Sequence, residues 1–205
     1  MGINRSFFFD TIRANLFDGS LKQSQVEGLT AILDKWEQES PGNDDRWLAY
    51  MLATAHHETG RTMQAVRETF AGSDDQAIRI LNKAYTSGVL TWVRRPYWQR
   101  DAEGKSWLGR GLVQLTHKDN YRRLGEALGI DLLSDPTKAM DLPVAVDIMF
   151  IGMTQGLFTG KSLAHYFSPN KQDWKQGRRI INGVERADLV AGYGLKYYSA
   201  ISYTV

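Results

Sequence analysis

The stretch HHETG at residues 56–60 places a carboxylate at the end of an apolar helical pattern. At about 100° per residue, Glu58 falls close to Met51 and so continues the buried face of the helix. A carboxyl group partly withdrawn from water has a raised pKa, which a general acid needs near neutral pH. The pattern alone also fits a surface glutamate at a frayed helix end, or one paired with Arg61 or His57.

The paired histidines do not have the spacing of a metal site. A zinc-protease motif needs a second histidine four residues after the first, but Gly60 and Arg61 stand four residues after His56 and His57. The chain also has no cysteine, which removes thiolate zinc sites. We therefore expect no metal site. Both histidines are better explained as packing or orienting groups, and His57 is a candidate for substrate contact.

Hydrolysis of a glycosidic bond with inversion would need a second carboxylate to activate water. Glu68 is the nearest glutamate after Glu58. Asp74, Asp75 and Glu103 are alternatives, and the VRETF context of Glu68 taken alone equally fits a solvated charge.

Residues 83–110 combine cations with aromatic rings. The segment contains six cationic side chains and two acidic ones. This local surplus of positive charge would attract an anionic partner. The aromatic faces could stack on sugar rings or bases, or the rings could fill a small second core. The aromatic residues are Tyr85, Trp92, Tyr97, Trp98 and Trp107.

The segment WLGRGLVQLTHKDNY at 107–121 adds directed polar groups. Glycines on both sides of Arg110 let the backbone approach a ligand closely, while Gln114 and Thr116 supply hydrogen-bonding groups. Trp107, Arg110 and Tyr121 are further candidates for substrate binding. A strand edge would also explain this pattern.

Helical periodicity dominates the rest of the chain and predicts the elements that must position these groups. Residues 87–115 show no sustained helical period and are predicted to be loop with short strands, a length typical of functional loops. We predict one catalytic domain over 1–205, with 1–44 as a helical extension packed on it. Helices are predicted at 24–39, 45–59, 74–86, 118–128, 143–156 and 186–202.

Three motifs in this order, AHHETG (55–60), GRGLVQLTHKDNY (109–121) and RRIINGVERADLVAGYGLKYY (178–198), resemble the pattern of glycoside hydrolase family 19. This family comprises chitinases and a lysozyme-like branch that includes bacteriophage endolysins. The resemblance covers roughly residues 45–202. It implies a mainly α, lysozyme-like fold of two lobes with a central sugar-binding cleft, and cleavage with inversion without a metal or cofactor.

The resemblance also implies roles for individual residues. Glu58 matches the general acid and Glu68 the second carboxylate, while Thr116 matches the residue that holds the attacking water. Two positions depart from the family pattern, because Arg61 and Val184 stand where glycines are common. Substrate-binding residues implied by the match are Gln114, Asn182 and Arg186.

The leading functional hypothesis is a peptidoglycan hydrolase that cleaves the β-1,4 bond between N-acetylmuramic acid and N-acetylglucosamine. The alternatives are a chitinase, or a catalytically weak wall-binding or virion structural protein. The cationic segment 83–110 favours peptidoglycan, whose lactyl and peptide carboxylates chitin lacks.

The remaining expectations concern partners and location. The net charge of +2 is weak for nucleic-acid binding, and no apolar run approaches the length of a membrane span, so we expect neither partner. We expect a monomer. The N-terminus lacks the pattern of a signal peptide, which predicts synthesis in a host cytoplasm and action in the periplasm, for host cell lysis, after the membrane is permeabilised.

Overall fold

A computed structural model describes residues 2–40 and 42–204. Seven α-helices lie in this range, so the predicted mainly α fold class is confirmed. Each predicted helix is present, with its ends within about two residues of the predicted positions. The helices are α1 (Arg5–Leu16), α2 (Gln23–Glu39), α3 (Asp45–Glu58), α4 (Asp74–Thr86), α5 (Lys118–Leu128), α6 (Leu142–Gln155) and α7 (Ala187–Ala200).

Local capping explains where the helices begin and end. The Asp44 side chain accepts a hydrogen bond from the backbone N–H of Arg46 and so begins α3. Gly156, in the left-handed conformation, ends α6. The spacing of Ser24 and Glu27 fits a capping box, but the structure begins α2 differently. Instead, the Gln25 side chain accepts the backbone N–H of Lys22.

Two short antiparallel strand pairs complete the regular structure of the described residues. Strand β1 (Val66–Arg67) pairs with β2 (Arg110–Gly111), and β3 (Phe167–Ser168) pairs with β4 (Lys171–Gln172). No helix forms between 87 and 109, as the missing periodicity predicts. The β1–β2 pair matters for the site, because it joins the residues that precede Glu68 to the glycine-flanked Arg110.

The apolar side chains form a large core and a smaller one. Helix α3 runs through the large core, against α6 and α7, and all nine residues of Leu48–His56 are buried. The smaller core is closed by Trp98, which fills the space beside α4. The structure therefore has two lobes, as expected. The members of the smaller core are Ala71, Ala77, Leu81, Trp98 and Leu108.

Helices α1 and α2 contribute to the large core, where α1 contacts α7 and α2 contacts α3 and α6. The boundaries of a single catalytic domain with a 1–44 extension stay a prediction. The most apolar helix, α6, is buried in the large core as expected. Among the described residues, none of the helices combines the length and apolar character that crossing a bilayer requires.

Buried His56 connects the two principal helices of the large core. Its Nδ1 lies 2.9 Å from the Tyr197 hydroxyl on α7, and its ring packs against Phe17 and Tyr193. Burial, followed by the positive charges of Arg61, His57 and Lys196, lowers the pKa of His56 from 6.5 to about 4. The imidazole is therefore neutral in the folded protein near neutral pH.

The depressed pKa of His56 predicts a specific loss of stability in acid. Between pH 6.5 and about 4 the unfolded chain binds a proton at His56 that the folded protein excludes. The free energy of unfolding should thus fall by about 3 kcal/mol across this window as the pH is lowered. Urea unfolding at a series of pH values measures the slope, and His56→Gln should flatten it. Equal slopes for the two proteins would contradict this account.

A close helix contact fixes the chain that follows α3. Gly28 on α2 lies against the backbone of Met63, so that a Cβ at position 28 would stand 1.7 Å from the Met63 carbonyl oxygen. Gly28→Ala should therefore force α2 away from this turn and destabilise the protein by about 3 kcal/mol. Thermal and urea unfolding measure the loss.

Gly192 provides the matched control. It lies on the exposed side of α7, where a methyl group would meet no other atom, so Gly192→Ala should stabilise the helix by about 0.5–1 kcal/mol. If both alanine variants had the same stability, the contact at Met63 would not be the constraint described.

Candidate active site

A cleft of about 940 Å³ separates the two lobes. One wall belongs to the large lobe and is formed by the C-terminal end of α3 and by the 113–120 segment. The other wall is the 92–97 loop of the small lobe. The central cleft expected from the sequence is therefore present. Its lining residues are Glu58, Trp92, Val93, Arg94, Arg95, Tyr97, Val113, Gln114, Thr116, His117, Asn120, Ile181 and Asn182.

Glu58 is the last residue of α3 and opens into this cleft. Only 15% of its side chain is exposed, so the carboxylate is shielded from bulk solvent although it meets the cleft. Its Oε1 is enclosed and lies 2.7 Å from Arg178 Nη1, but outside hydrogen-bond geometry, so the contact is an ion pair. Oε2 has no hydrogen-bond partner among residues 2–40 and 42–204, and we take it as the oxygen that faces a ligand.

The partner of Glu58 was not predicted from the sequence. Arg178 is nearly fully buried and lies in the short 3-10 helix Gln176–Ile180. Its positive charge offsets the negative end of the α3 dipole, where a carboxylate is otherwise disfavoured. The expected alternative Arg61 instead pairs with Asp18 at the surface. The sequence signal that could have identified Arg178 was its position four residues before Asn182. The structure joins these two residues, because the Asn182 N–H donates to the Arg178 carbonyl at 3.1 Å.

Glu68 follows β1 and is held by the opposite strand. Its N–H donates to the Gly109 carbonyl at 2.7 Å, and the Gly109 N–H donates to Glu68 Oε2 at 2.8 Å. The Tyr97 hydroxyl donates to Oε1 at 2.5 Å. A Cβ at position 109 would stand 2.7 Å from Gln114 Oε1, so a side chain here would displace the Gln114 amide. Glu68 is half-buried and contacts the cleft wall through Tyr97. The alternatives Asp74, Asp75 and Glu103 are all paired with cations.

Thr116 and Gln114 both line the cleft, as the sequence predicted. The Thr116 hydroxyl makes no hydrogen bond within the described chain and can bind a water. The Gln114 amide donates to the Val66 carbonyl at 2.9 Å, and its Oε1 lies against Gly109. Asn120, which the sequence motifs did not single out, joins them because it lies one helical turn beyond Thr116 and donates to its carbonyl.

His57, Asn182 and Arg186 surround the Glu58–Arg178 pair to different degrees. Asn182 lines the cleft. His57 is half-buried beside Glu58 but lies outside the cleft wall, as does exposed Arg186. Burial is the largest cause that lowers the pKa of His57, the Glu58 carboxylate opposes it, and the Arg178 and Arg186 charges reinforce it. We therefore place His57 and Arg186 next to the acid rather than in contact with the cleft.

Trp107, Arg110 and Tyr121 require correction as substrate-binding candidates, because all three are buried in the protein. Trp107 packs on Tyr121 and donates its indole N–H to Asp101. Arg110 pairs with Asp74 and donates to the Ser106 carbonyl and the Tyr121 hydroxyl. These groups hold the 107–121 segment in place, and their burial keeps them from the cleft.

The aromatic and cationic loop divides into buried and exposed parts. Trp98 is fully buried and closes the smaller core, whereas Trp92 is 72% exposed at the cleft. Arg94 and Arg95 also line the cleft and are exposed. Neither arginine forms an ion pair with a carboxylate of residues 2–40 or 42–204. This wall of the cleft therefore presents an aromatic face and two positive charges.

Potential metal ligands do not gather at this site. Over residues 2–40 and 42–204, no group of three or more His, Cys, Asp or Glu side chains is arranged to hold a metal ion. The expectation of a reaction without metal or cofactor stays a prediction.

Comparison with known proteins places the chain among chitinase-related sequences. Rice (Oryza sativa subsp. japonica) chitinase 12 is 46% identical over 107 residues, covering 45% of this chain and 31% of that protein. Rice chitinase 11 is 34% identical over 92 residues, covering 38% and 36%. The match thus spans about a third of the length of these relatives. Chitinase C from Streptomyces griseus HUT6037 is a structural neighbour with 19% identity and a TM-score of 0.47, covering 91% of this chain and 75% of that one.

The sequence model of the chitinase class I family matches residues 39–181, which is more than half of the chain. This range includes Glu58, Glu68, Gln114 and Thr116, and it ends just before Asn182. The chain therefore belongs to glycoside hydrolase family 19.

Proposed function

We propose that this protein is an inverting glycoside hydrolase of bacterial peptidoglycan, cleaving the β-1,4 bond between N-acetylmuramic acid and N-acetylglucosamine. The observation that carries the proposal is the position of Glu58. A shielded carboxyl group opens from the end of α3 into an extended cleft between two lobes. Membership of family 19 supports glycosidic hydrolysis as the reaction, and the charges on the cleft wall support peptidoglycan as the polymer.

In the proposed mechanism Glu58 gives its proton to the glycosidic oxygen as the bond to the anomeric carbon breaks. A water on the opposite face forms the new bond to that carbon and loses its proton to Glu68. The Thr116 hydroxyl holds this water. Each oxygen of Glu68 accepts one hydrogen bond from the protein and has a second lone pair, so the carboxylate can still receive the proton.

The charge of the cleft supports peptidoglycan as the substrate. Arg94 and Arg95 lack carboxylate partners in the described part of the chain, and they lie beside exposed Trp92. An indole face can cover the apolar face of a sugar ring, while guanidinium groups can pair with lactyl or peptide carboxylates. Chitin offers the first contact but not the second.

A chitinase is the second candidate, because the named relatives are chitinases. A wall-binding protein with little activity is the third, since Arg61 replaces a common family glycine. However, Arg61 adopts the left-handed conformation, with φ of 70°, in which glycine is favoured. The turn after Glu58 is thus formed despite the substitution, which removes the structural reason to favour an inactive protein.

We further propose that the enzyme acts as a monomer on the wall in the periplasm, after the membrane is permeabilised, and that it causes host lysis. Because the chain contains no cysteine, its fold does not depend on an oxidising compartment. An enzyme of this kind can fold in a cytoplasm and remain stable in the periplasm.

Glu58→Gln should abolish the release of new reducing ends from purified sacculi, with a loss of at least about 100-fold, because glutamine cannot donate the proton. The released sugars are measured by reducing-end assay and by mass spectrometry. The first product formed should have the inverted anomeric configuration.

Glu126→Gln is the matched control, since Glu126 is exposed on α5 outside the cleft, and it should retain full activity. Normal release of reducing ends by the Glu58 variant would refute the assignment of the acid. Anhydro ends in place of reducing ends would refute hydrolysis, because they indicate an intramolecular transfer without water.

Replacing both Arg94 and Arg95 by Gln should lower kcat/KM on sacculi by about 10-fold at low salt, because carboxylates of the substrate lose their partly shielded guanidinium partners. Activity on chitin oligosaccharides should change little. Initial rates on both substrates, measured at several salt concentrations, test this difference.

The control removes two exposed charges outside the 83–110 segment and the cleft wall, with Arg79→Gln on α4 and Lys161→Gln. This variant should behave like the wild type on both substrates. An equal loss on chitin and sacculi in the arginine variant, or higher wild-type activity on chitin than on sacculi, would favour the chitinase alternative.

A further inference from the structure

The contact between Tyr97 and Glu68 connects the loop that lines the cleft to the end of β1. Tyr97 lies in the 92–97 loop that lines the cleft, whereas Glu68 follows β1. The Tyr97 hydroxyl donates to Oε1 at 2.5 Å, and the Gly109 N–H donates to Oε2 at 2.8 Å. Both carboxylate oxygens are thus fixed, one by backbone and one by a side chain.

The environment of Tyr97 makes it a lasting hydrogen-bond donor. Its ring lies between Trp98, with centroids 5.0 Å apart, and His117, at 4.4 Å. Burial, and next the negative charge of Glu68, raise the pKa of the Tyr97 hydroxyl well above its ordinary value. The phenol therefore keeps its proton over the pH range in which a glycosidase works.

The charged groups around Glu68 are otherwise occupied. Arg67 on β1 and Arg110 on β2 both pair with Asp74 of α4. The Tyr121 hydroxyl donates to the Leu108 carbonyl, and His117 contacts the far side of the Tyr97 ring. Within the described residues, Tyr97 is the one side chain that hydrogen-bonds Glu68.

We propose that Tyr97 is a positioning residue that holds the Glu68 carboxylate in the orientation needed to activate water. This inference rests on the proposed function, in which Glu68 is the base. Tyr97 gives up no proton in the reaction. Its hydroxyl occupies one lone pair of Oε1, fixes the rotation of the carboxylate, and directs the remaining lone pairs towards the site of the water.

The test is Tyr97→Phe, which retains the ring and its packing and removes only the hydroxyl. The loss of one charge-assisted hydrogen bond should lower kcat on sacculi about 10- to 100-fold. KM should stay within about twofold, because the ring that faces the substrate is retained. Steady-state kinetics on solubilised glycan strands gives both constants, and thermal unfolding shows whether the variant remains folded.

Tyr85→Phe is the matched control. Tyr85 packs on Trp98, as Tyr97 does, but Tyr85 does not reach Glu68. It should leave kcat unchanged. An unchanged kcat in Tyr97→Phe, or a rise in KM that accounts for the whole loss, would overturn the positioning role.

Glu68→Gln, measured in parallel, separates this inference from the proposed function. If Glu68→Gln is inactive and Tyr97→Phe has normal kcat, only the role of Tyr97 is wrong. If Glu68→Gln has normal activity, Glu68 is not the base, and the mechanism fails together with the role of Tyr97.

Discussion

The structure depends on the burial of the middle of α3. The nine consecutive residues Leu48–His56 are enclosed by neighbouring elements, and a helical stretch that is covered all round has no solvated face to vary. The first carboxylate after this buried stretch is Glu58, at the C-terminal end of the helix. There the helix dipole disfavours negative charge, and the buried guanidinium of Arg178 compensates for it. The position of the acid thus follows from core packing as much as from the HHETG motif.

A second constraint is the closure of 66–69 on 109–115. The β1–β2 pair, the reciprocal bonds between Glu68 and Gly109, and the bonds between Arg110 and Leu115 bring two distant motifs together. Unusual backbone conformations accompany this closure. Thr69, Phe70 and Gln114 all have positive φ. Such conformations cost of order 1 kcal/mol or more each and persist only where surrounding contacts impose them. They occur here directly after Glu68, the proposed base, and at Gln114 itself.

The helices could be predicted from the sequence because their apolar periodicity reports the same burial that stabilises them. Glu58, Gln114, Thr116 and Asn182 were also found at the cleft, since each lies at or just beyond the end of an element that the motifs contain. The motif could not tell which of its side chains point inward. Trp107, Arg110 and Tyr121 have the chemistry of sugar-binding residues, but they satisfy one another inside the large lobe. Contacts with residues distant in sequence decide which side chains point inward, and the same holds for Arg178.

The 87–109 loop shows how one long irregular segment serves the smaller core, the cleft and Glu68 together. Buried Trp98 anchors the loop in the smaller core. The residues before this anchor place Trp92, Arg94 and Arg95 at the cleft, and the residue next to it, Tyr97, reaches Glu68. The proposed selection of an anionic polymer and the proposed orientation of Glu68 therefore depend on the same stretch of chain, which Trp98, together with the partly buried Leu90, Val93 and Tyr97, holds in the smaller core.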